Sequence, residues 1–170
     1  MIFETPRLFL REMTQADYSA LAAILQDAQT MYAYEGAMND SETLDWLDRQ
    51  LTRYREHGFG LWAVVLKENG GMIGDAGLTW QDVEGERVPE IGYHLNRAWW
   101  GRGYAIEAAA ACKQYAFDTL GFDEVFSIIR DSNLPSINVA IRNGMLARSR
   151  FIKHYRGVDM PHIVFSARKV

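Results

Sequence analysis

A strand pattern, a glycine-containing loop and an alanine-rich helix follow one another between residues 89 and 120. Small residues along one side of the helix let it lie close to a sheet. Gly101 and Gly103 lie in the loop, where missing side chains let backbone N–H groups close on a bulky ligand. The positive end of the helix points at the same place. The segment predicts an anion cradle, although such glycines also occur where a chain only turns.

The loop lacks the residues of two common phosphate-binding sites. It contains no Gly-x-x-x-x-Gly-Lys-Ser/Thr sequence, so neither a lysine nor a hydroxyl is placed for nucleotide phosphates and magnesium. A dinucleotide-binding fold is disfavoured, because only two of the three characteristic glycines are present and the strand lies in mid-chain. The loop therefore predicts a different phosphorylated ligand.

The rest of the chain alternates between strand and helix periodicity. The strand patterns cover residues 7–12, 61–66, 72–80, 124–129, 146–155 and 162–168, and the helix patterns cover 18–25, 41–56 and a short segment opened by Asn133. A polar loop at 82–87 precedes the strand at 89–95. The irregular segment from Met31 to Met38 is rich in Tyr and Glu, including Tyr32, Tyr34 and Glu35, and such loops often form substrate walls.

Apolar spacing predicts which helix faces are buried. The helix at 41–56 is expected to bury a stripe of Leu44, Leu47 and Leu51. The alanine-rich helix is expected to place small groups against a sheet, namely Ala105, Ala108, Ala109, Cys112 and Ala116. Cys112 is then a buried spacer rather than a nucleophile, since no histidine or helix start lies next to it.

Composition limits the partners and the compartment. The 170 residues contain no linker or low-complexity run and predict one domain over residues 1–170. A net charge of −4 with scattered basic residues disfavours nucleic acid, and neither a signal pattern nor a long apolar run predicts a membrane segment. The single cysteine excludes an intramolecular disulfide, and the dispersed histidines show no metal-ligand spacing. We therefore expect a cytoplasmic protein without a metal, either a monomer or a homodimer.

Several segments in order resemble the GNAT superfamily of N-acetyltransferases. They are Ile91-Gly92-Tyr93-His94-Leu95, Trp99-Trp100-Gly101-Arg102-Gly103-Tyr104-Ala105-Ile106-Glu107-Ala108, Asn133-x-x-Ser136-Ile137 and Asn143-Gly144-Met145. The opening Thr5-Pro6-Arg7-Leu8-x-Leu10-Arg11 is similar to the branch that contains the ribosomal-protein N-terminal acetyltransferases. The resemblance implies an α/β fold with a mixed, mostly antiparallel sheet flanked by helices. It also implies acetyl-coenzyme A as donor, an amine as acceptor, and direct transfer without an acyl-enzyme.

The resemblance assigns the cofactor site. The pyrophosphate of coenzyme A would lie in the cradle formed by Trp100, Gly101, Arg102, Gly103, Tyr104 and Ala105, with Arg97 or Arg102 adding charge at the rim. The family motif usually has Gln or Arg where this chain has Ala98, one place after Arg97. The peptide-like pantetheine arm would lie along Tyr93, His94 and Leu95, in a gap where this strand parts from the strand at 124–130. Asn133, Ser136 and Asn138 are cofactor contacts by the same resemblance.

Two residues are candidates for proton transfer. Glu90 lies on the strand upstream of the acetyl position and could take the proton of the amine through water, or be only a surface carboxylate. His94 is a second candidate for this base if its side chain points to the acceptor side. The resemblance points to Ser136 as the acid that protonates the leaving thiolate, with hydrogen bonding to the cofactor or helix capping as alternatives. A backbone N–H near Leu95 would stabilise the oxyanion.

The sequence leaves the acceptor open. A protein N-terminus, a polyamine, an aminoglycoside and an amino-acid-like metabolite are all compatible with it, and a mildly acidic chain suits a cationic substrate slightly better. An alternative function keeps the fold without turnover, as an acyl-CoA-binding sensor or a partner-binding module. An intact cradle together with Glu90 and Ser136 favours the enzyme.

Overall fold

The computed structural model describes residues 1–155 and 157–170. In these residues eight strands form one sheet: β1 Phe3–Glu4, β2 Leu8–Arg11, β3 Leu61–Leu66, β4 Met72–Val83, β5 Glu86–Leu95, β6 Glu124–Arg130, β7 Leu146–Tyr155 and β8 Val158–Arg168. Five α-helices accompany them: α1 Tyr18–Leu25, α2 Ala28–Met31, α3 Asp40–His57, α4 Tyr104–Asp118 and α5 Leu134–Arg142. None of the described helices is long and apolar enough to cross a membrane.

The strand order is β1-β2-β3-β4-β5-β6-β8-β7, and a single neighbouring pair is parallel. That pair is β5 and β6, which α4 connects, and it is registered at one position, Glu90 opposite Phe126. Beyond this position the two strands do not continue as a ladder. The mixed, mostly antiparallel sheet and the parting of its parallel strands confirm the predicted fold class.

The core lies on both faces of the central strands. Every residue of β3 is buried, as expected for a continuous apolar run between two layers. One layer contains α4, whose Ala108, Ala109, Cys112 and Ala116 are buried against the sheet as predicted. Burial raises the pKa of the Cys112 thiol above its usual range, so this cysteine is a packing residue.

The face of α3 differs from the prediction. Leu47 is buried, but Leu44 is 44% exposed, and the buried set is Thr43, Trp46, Leu47, Gln50 and Tyr54. Gln50 can be buried because its Oε1 accepts a hydrogen bond from the Leu61 backbone N–H at 3.1 Å. The buried face of α3 is therefore rotated away from Leu44 and combines Trp46 and Leu47 with the polar residues Thr43 and Gln50.

The strands β4 and β5 form a longer hairpin than the sequence predicts. The expected polar loop at 82–87 is reduced to the turn Glu84-Gly85, since β4 ends at Val83 and β5 begins at Glu86. Both turn residues have positive φ, 52° for Glu84 and 88° for Gly85, as a two-residue hairpin turn requires. A glutamate at the first of these positions is not a recognisable turn signal, which is why the sequence indicates a loop there.

Candidate functional site

The predicted anion cradle is built from the loop before α4. Gly103 precedes the helix with a φ of 80° and Gly101 has a φ of 72°, both in the left-handed region. The first N–H groups of any helix have no intrahelical partner. The N-cap residue of α4, Gly103, has no side chain to cap them, so they are available to bind an anion. A Cβ on Gly101 would meet no atom within 4 Å, so the space in front of the loop is open.

Beside the cradle, the main chain of β5 turns one edge toward the gap with β6. The carbonyl oxygen of Tyr93 accepts from the Tyr34 hydroxyl at 3.5 Å, and that of Leu95 accepts from the Trp100 indole N–H at 2.9 Å. In a strand the N–H and C=O of one residue point to the same side. The amides of Tyr93 and Leu95 therefore point into the gap, where an extended ligand could pair with them.

One cavity of about 520 Å³ joins the cradle to this strand edge. Eleven of the predicted cofactor residues line it: Tyr93, His94, Leu95, Trp100, Gly101, Gly103, Tyr104, Ala105, Asn133, Ser136 and Asn138. We call it the donor cavity. Sequence reasoning missed Arg142, a cationic residue at the end of α5 that also lines this cavity.

The side chains of the two arginines predicted at the rim each have a partner within the protein. Arg97 forms an ion pair with Asp27 at 2.6 Å and a second hydrogen bond with Gln29. The Arg97 guanidinium lowers the pKa of Asp27 to about 2. Arg102 places its guanidinium 5.0 Å from the Trp99 ring centre. Neither arginine is among the residues that line the donor cavity, although Trp99 beneath Arg102 is, so a rim charge from Arg97 or Arg102 stays a prediction.

A second cavity of about 320 Å³ lies next to the first. Five residues line both of them: Tyr34, Tyr93, His94, Asn133 and Ser136. We call the second space the acceptor cavity and the shared residues the junction. Two ligands bound on opposite sides would meet at the junction, which is the arrangement that a two-substrate transfer requires.

Glu90 lines the acceptor cavity. Its Oε2 accepts a hydrogen bond from the Ile128 backbone N–H at 3.1 Å. Burial raises the pKa of Glu90 from 4.5 to about 7, although the Ile128 N–H opposes the rise. Gly92 lies between Glu90 and His94 on the same strand face, and a Cβ there would come within 3.8 Å of Glu90 Oε1. The missing side chain therefore leaves this face open next to a carboxyl group that exchanges protons near neutral pH.

His94 is held by a carboxylate that the sequence analysis missed. Its Nδ1 lies 2.9 Å from Oδ1 of the fully buried Asp75. Burial lowers the pKa of His94, but the charge of Asp75 and its hydrogen bond outweigh burial and raise it. The ring lies between Tyr34, at 4.8 Å between ring centres, and Trp46, at 6.1 Å. His94 therefore faces the acceptor cavity, as its candidacy for the base requires.

The Asp75 partner could have been found from the turn. Facing residues of β4 and β5 have numbers that add to 169, as in the pairs Val83 with Glu86 and Asp75 with His94. A two-residue turn at Glu84-Gly85 fixes this register, so its recognition would have placed Asp75 opposite His94.

Ser136 lies in the first turn of α5. The Asn133 side chain caps that helix by accepting from the Ser136 backbone N–H at 3.4 Å, and the Tyr93 hydroxyl donates to the Ser136 carbonyl at 2.9 Å. Tyr34, Asn133 and Ser136 lie together at the junction, and the Tyr34 hydroxyl donates to the Tyr93 carbonyl oxygen at 3.5 Å. Burial raises the pKa of Tyr34 to about 12, so its phenol is protonated at neutral pH. A tyrosine from the irregular segment thus lies beside the predicted acid.

The cradle, the opened strand edge and the junction define a class of protein, an acyltransferase with separate donor and acceptor sides. Residues 7–146 match the family described as the acetyltransferase (GNAT) domain. The chain belongs to the GNAT acetyltransferase family, and the predicted family is confirmed.

Individual relatives agree with this assignment. The chain is 35% identical to the uncharacterized protein YkkB of Bacillus subtilis over 142 residues, covering 83% of each chain. It is 31% identical to the uncharacterized N-acetyltransferase p20 of Bacillus licheniformis, covering 79% of this chain and 76% of the relative. An acetyltransferase structure from Agrobacterium tumefaciens shares 27% identity with a TM-score of 0.83, covering 98% of this chain and 94% of the other. The protein is therefore an acetyltransferase-family enzyme.

Proposed function

We propose that this protein transfers an acetyl group from acetyl-coenzyme A to a primary amine by direct attack, as one domain over residues 1–170. The observation that carries the proposal is the junction, where Tyr34, Tyr93, His94, Asn133 and Ser136 line both cavities. A ribosomal-protein alpha-N-acetyltransferase, RimL, solved with coenzyme A, shares the fold at 16% identity and a TM-score of 0.79, covering 98% of this chain and 97% of that chain. The buried single cysteine supports a reducing compartment, and we propose the cytoplasm.

The donor cavity fits coenzyme A. Free amides at the start of α4, the open space at Gly101 and the cation of Arg142 would hold its phosphates. The Tyr93 amide would pair with the peptide-like arm, which leaves the Leu95 N–H for the thioester. Bound there, acetyl-coenzyme A supplies the acetyl group as a reactive thioester. The Leu95 N–H would donate to the thioester carbonyl oxygen, so that negative charge developing on this oxygen is stabilised.

Proton transfer falls to residues on each side of the junction. Glu90 would take a proton from the amine through water, and its pKa of about 7 lets it do so near neutral pH. The amine nitrogen bonds to the acetyl carbon as the carbon–sulfur bond breaks. Ser136 would protonate the leaving thiolate and then regain a proton from solvent.

Thiol release from acetyl-coenzyme A in the presence of an amine panel tests the proposal, with the mass increase of each product identifying the acceptor. Calorimetry with coenzyme A tests the donor cavity separately, since a ligand that binds only the folded state also raises the melting temperature. A folded protein that gives neither heat nor a melting shift with coenzyme A would contradict the donor site. Binding without turnover across the panel would favour the sensor function instead.

Direct attack has its own test. Intact-protein mass spectrometry after incubation with acetyl-coenzyme A alone should show no acetylated enzyme, because the only thiol, that of Cys112, is buried in α4. An acetyl adduct that disappears when amine is added would show a covalent intermediate and overturn direct attack.

A further inference from the structure

The acceptor cavity is lined by more positive than negative charge. Its cationic residues are Arg49, Arg53, Arg130 and Lys153, and its acidic ones are Glu35 and Glu90. The chain as a whole has a net charge of −4, so the cavity has the opposite sign to the rest of the protein. A local reversal of this kind selects ligands by charge.

The two acidic residues do not balance these cations. Glu35 is paired with Lys153 at 3.8 Å. Glu90 has a pKa of about 7 and is therefore only partly ionised at neutral pH. Within residues 1–155 and 157–170, no ion pair includes Arg49, Arg53 or Arg130. Three guanidinium groups of the described chain thus line the cavity without a salt bridge, and the only acidic charge that acts on Arg53 is that of the partly ionised Glu90.

Arg49 and Arg53 are also neighbours of each other. They are four residues apart on α3, so their side chains lie on the same helix face. Burial and the charge of Arg49 lower the pKa of Arg53, which is half-buried and donates to Gln50 at 3.3 Å. Like charges at this spacing repel each other, and an anion bound between them would relieve the repulsion. Attraction to the negative end of the helix dipole does not explain why Arg49 and Arg53 lie together, because the cations in the last turn of α3 are Arg55 and His57.

Part of the remaining wall is apolar, beside polar residues such as Thr79, Gln81 and Ser127. Met31, Met38, Trp46 and Met160 line it, and they offer adaptable surface for an apolar side chain. His162 also lines this cavity, and its pKa is lowered by burial first and then by Lys153 and Arg130, so its ring is neutral at neutral pH.

We propose that the acceptor is a small amine that carries a carboxylate and an apolar side chain, as an amino acid does, with Arg49 and Arg53 binding the carboxylate. This specificity rests on the proposed function, because it concerns the acceptor side of the same junction. It disfavours polyamines and aminoglycosides, whose additional positive charges would face the arginines. It also reverses the slight preference for a cationic substrate that the net charge of the sequence suggests.

Matched pairs of acceptors test this specificity. Methionine, leucine and phenylalanine are each compared with their carboxamides, which keep the amine and the side chain but lose the negative charge, and spermidine is added as a polycation. We expect kcat/KM to be at least about 10-fold higher for at least one acid than for its amide, since a hydrogen-bonded charge pair has roughly this effect. The amine of a carboxamide has a lower pKa than that of the acid, so a larger fraction of it is neutral. A preference for the acid therefore cannot come from the fraction of neutral amine.

Three variants of α3 locate the preference. Arg53→Gln and Arg49→Gln should each reduce the acid-to-amide ratio by about 10-fold through KM, while Arg53→Lys should retain part of it. Arg55→Gln is the matched control, because Arg55 is an exposed arginine of the same helix that does not line the cavity. Arg49 is exposed as well, so its substitution tests the idea even if the Arg53 variant folds poorly.

The outcomes separate this inference from the proposed function. Equal or better acetylation of the amides or of spermidine, or an unchanged acid-to-amide ratio in Arg49→Gln and Arg53→Gln, would overturn the carboxylate-bearing acceptor while leaving the acetyltransferase in place. Equal acetylation of a C-terminally amidated peptide would point to a protein N-terminus instead and overturn it too. No thiol release with any amine, despite coenzyme A binding, would contradict the proposed function itself.

Discussion

Replacing Glu90 with glutamine keeps the size of the side chain and an oxygen that can accept from the Ile128 N–H, but it removes the exchangeable proton. The pKa of Glu90 is raised from 4.5 to about 7 in the folded protein. Between these two values the folded state binds more protons than the unfolded state, so the free energy of unfolding of the natural protein falls as pH rises. The glutamine variant lacks this loss, and we expect it to be the more stable protein above pH 7.

The size of the effect follows from the shift. A rise from 4.5 to about 7, at about 1.4 kcal/mol for each tenfold change in acidity, gives an upper limit of about 3.5 kcal/mol. Glu90 is half-buried and lines an open cavity, so water screens part of this energy. We expect Glu90→Gln to stabilise the protein by about 1–2 kcal/mol at pH 8 and by almost nothing at pH 4.5.

Urea unfolding of both proteins at pH 4.5, 6 and 8 measures this difference. Glu35→Gln is the control, since Glu35 is an exposed carboxylate of the same cavity and its substitution should change the free energy by less than about 0.5 kcal/mol at each pH. In Glu90→Gln, kcat should fall about 100-fold. In the natural enzyme, kcat/KM should rise with pH through about 7, because the base acts when it is unprotonated. A stability difference that is the same at all three pH values would refute the raised pKa, and near-normal turnover would remove Glu90 from the mechanism.

Three other substitutions test the remaining parts of the site. Ser136→Ala should lower kcat by about 100-fold while calorimetry shows coenzyme A affinity within a few-fold, and an unchanged kcat with chemistry rate-limiting would exclude Ser136 as the acid. Gly103→Val should abolish coenzyme A binding, whereas Gly85→Val, with a similar φ of 88° in the distant β4–β5 turn, should leave it intact; equal binding by both variants would show the loop to be only a turn. Asp75→Asn should lower the pKa of His94, as followed by NMR titration, because burial then acts almost unopposed. An unmoved titration would mean that Asp75 does not set the charge of His94.

The sequence by itself determined the elements and the cradle. The helix over α4, its small buried face and the glycines at 101 and 103 depend on local backbone geometry, which residue type controls directly. The motifs also identify the family, since the order of the segments survives in the sequence. Short pieces without strong periodicity, β1 and α2, were not predicted, because they are only two and four residues long.

The tertiary structure decided which side chains meet. Tyr34, from the irregular segment before α3, lies with Ser136 at the junction, and Asp75 reaches His94 only through the register of the β4–β5 hairpin. The arginines at 49 and 53 face the acceptor cavity because Thr43, Trp46 and Gln50, rather than Leu44, turn toward the core and set the rotation of α3. Periodicity within one segment constrains that segment alone, whereas helix rotation and strand register follow from packing between segments distant in sequence. The donor site could therefore be predicted from local motifs, while the charge of the acceptor cavity required the fold.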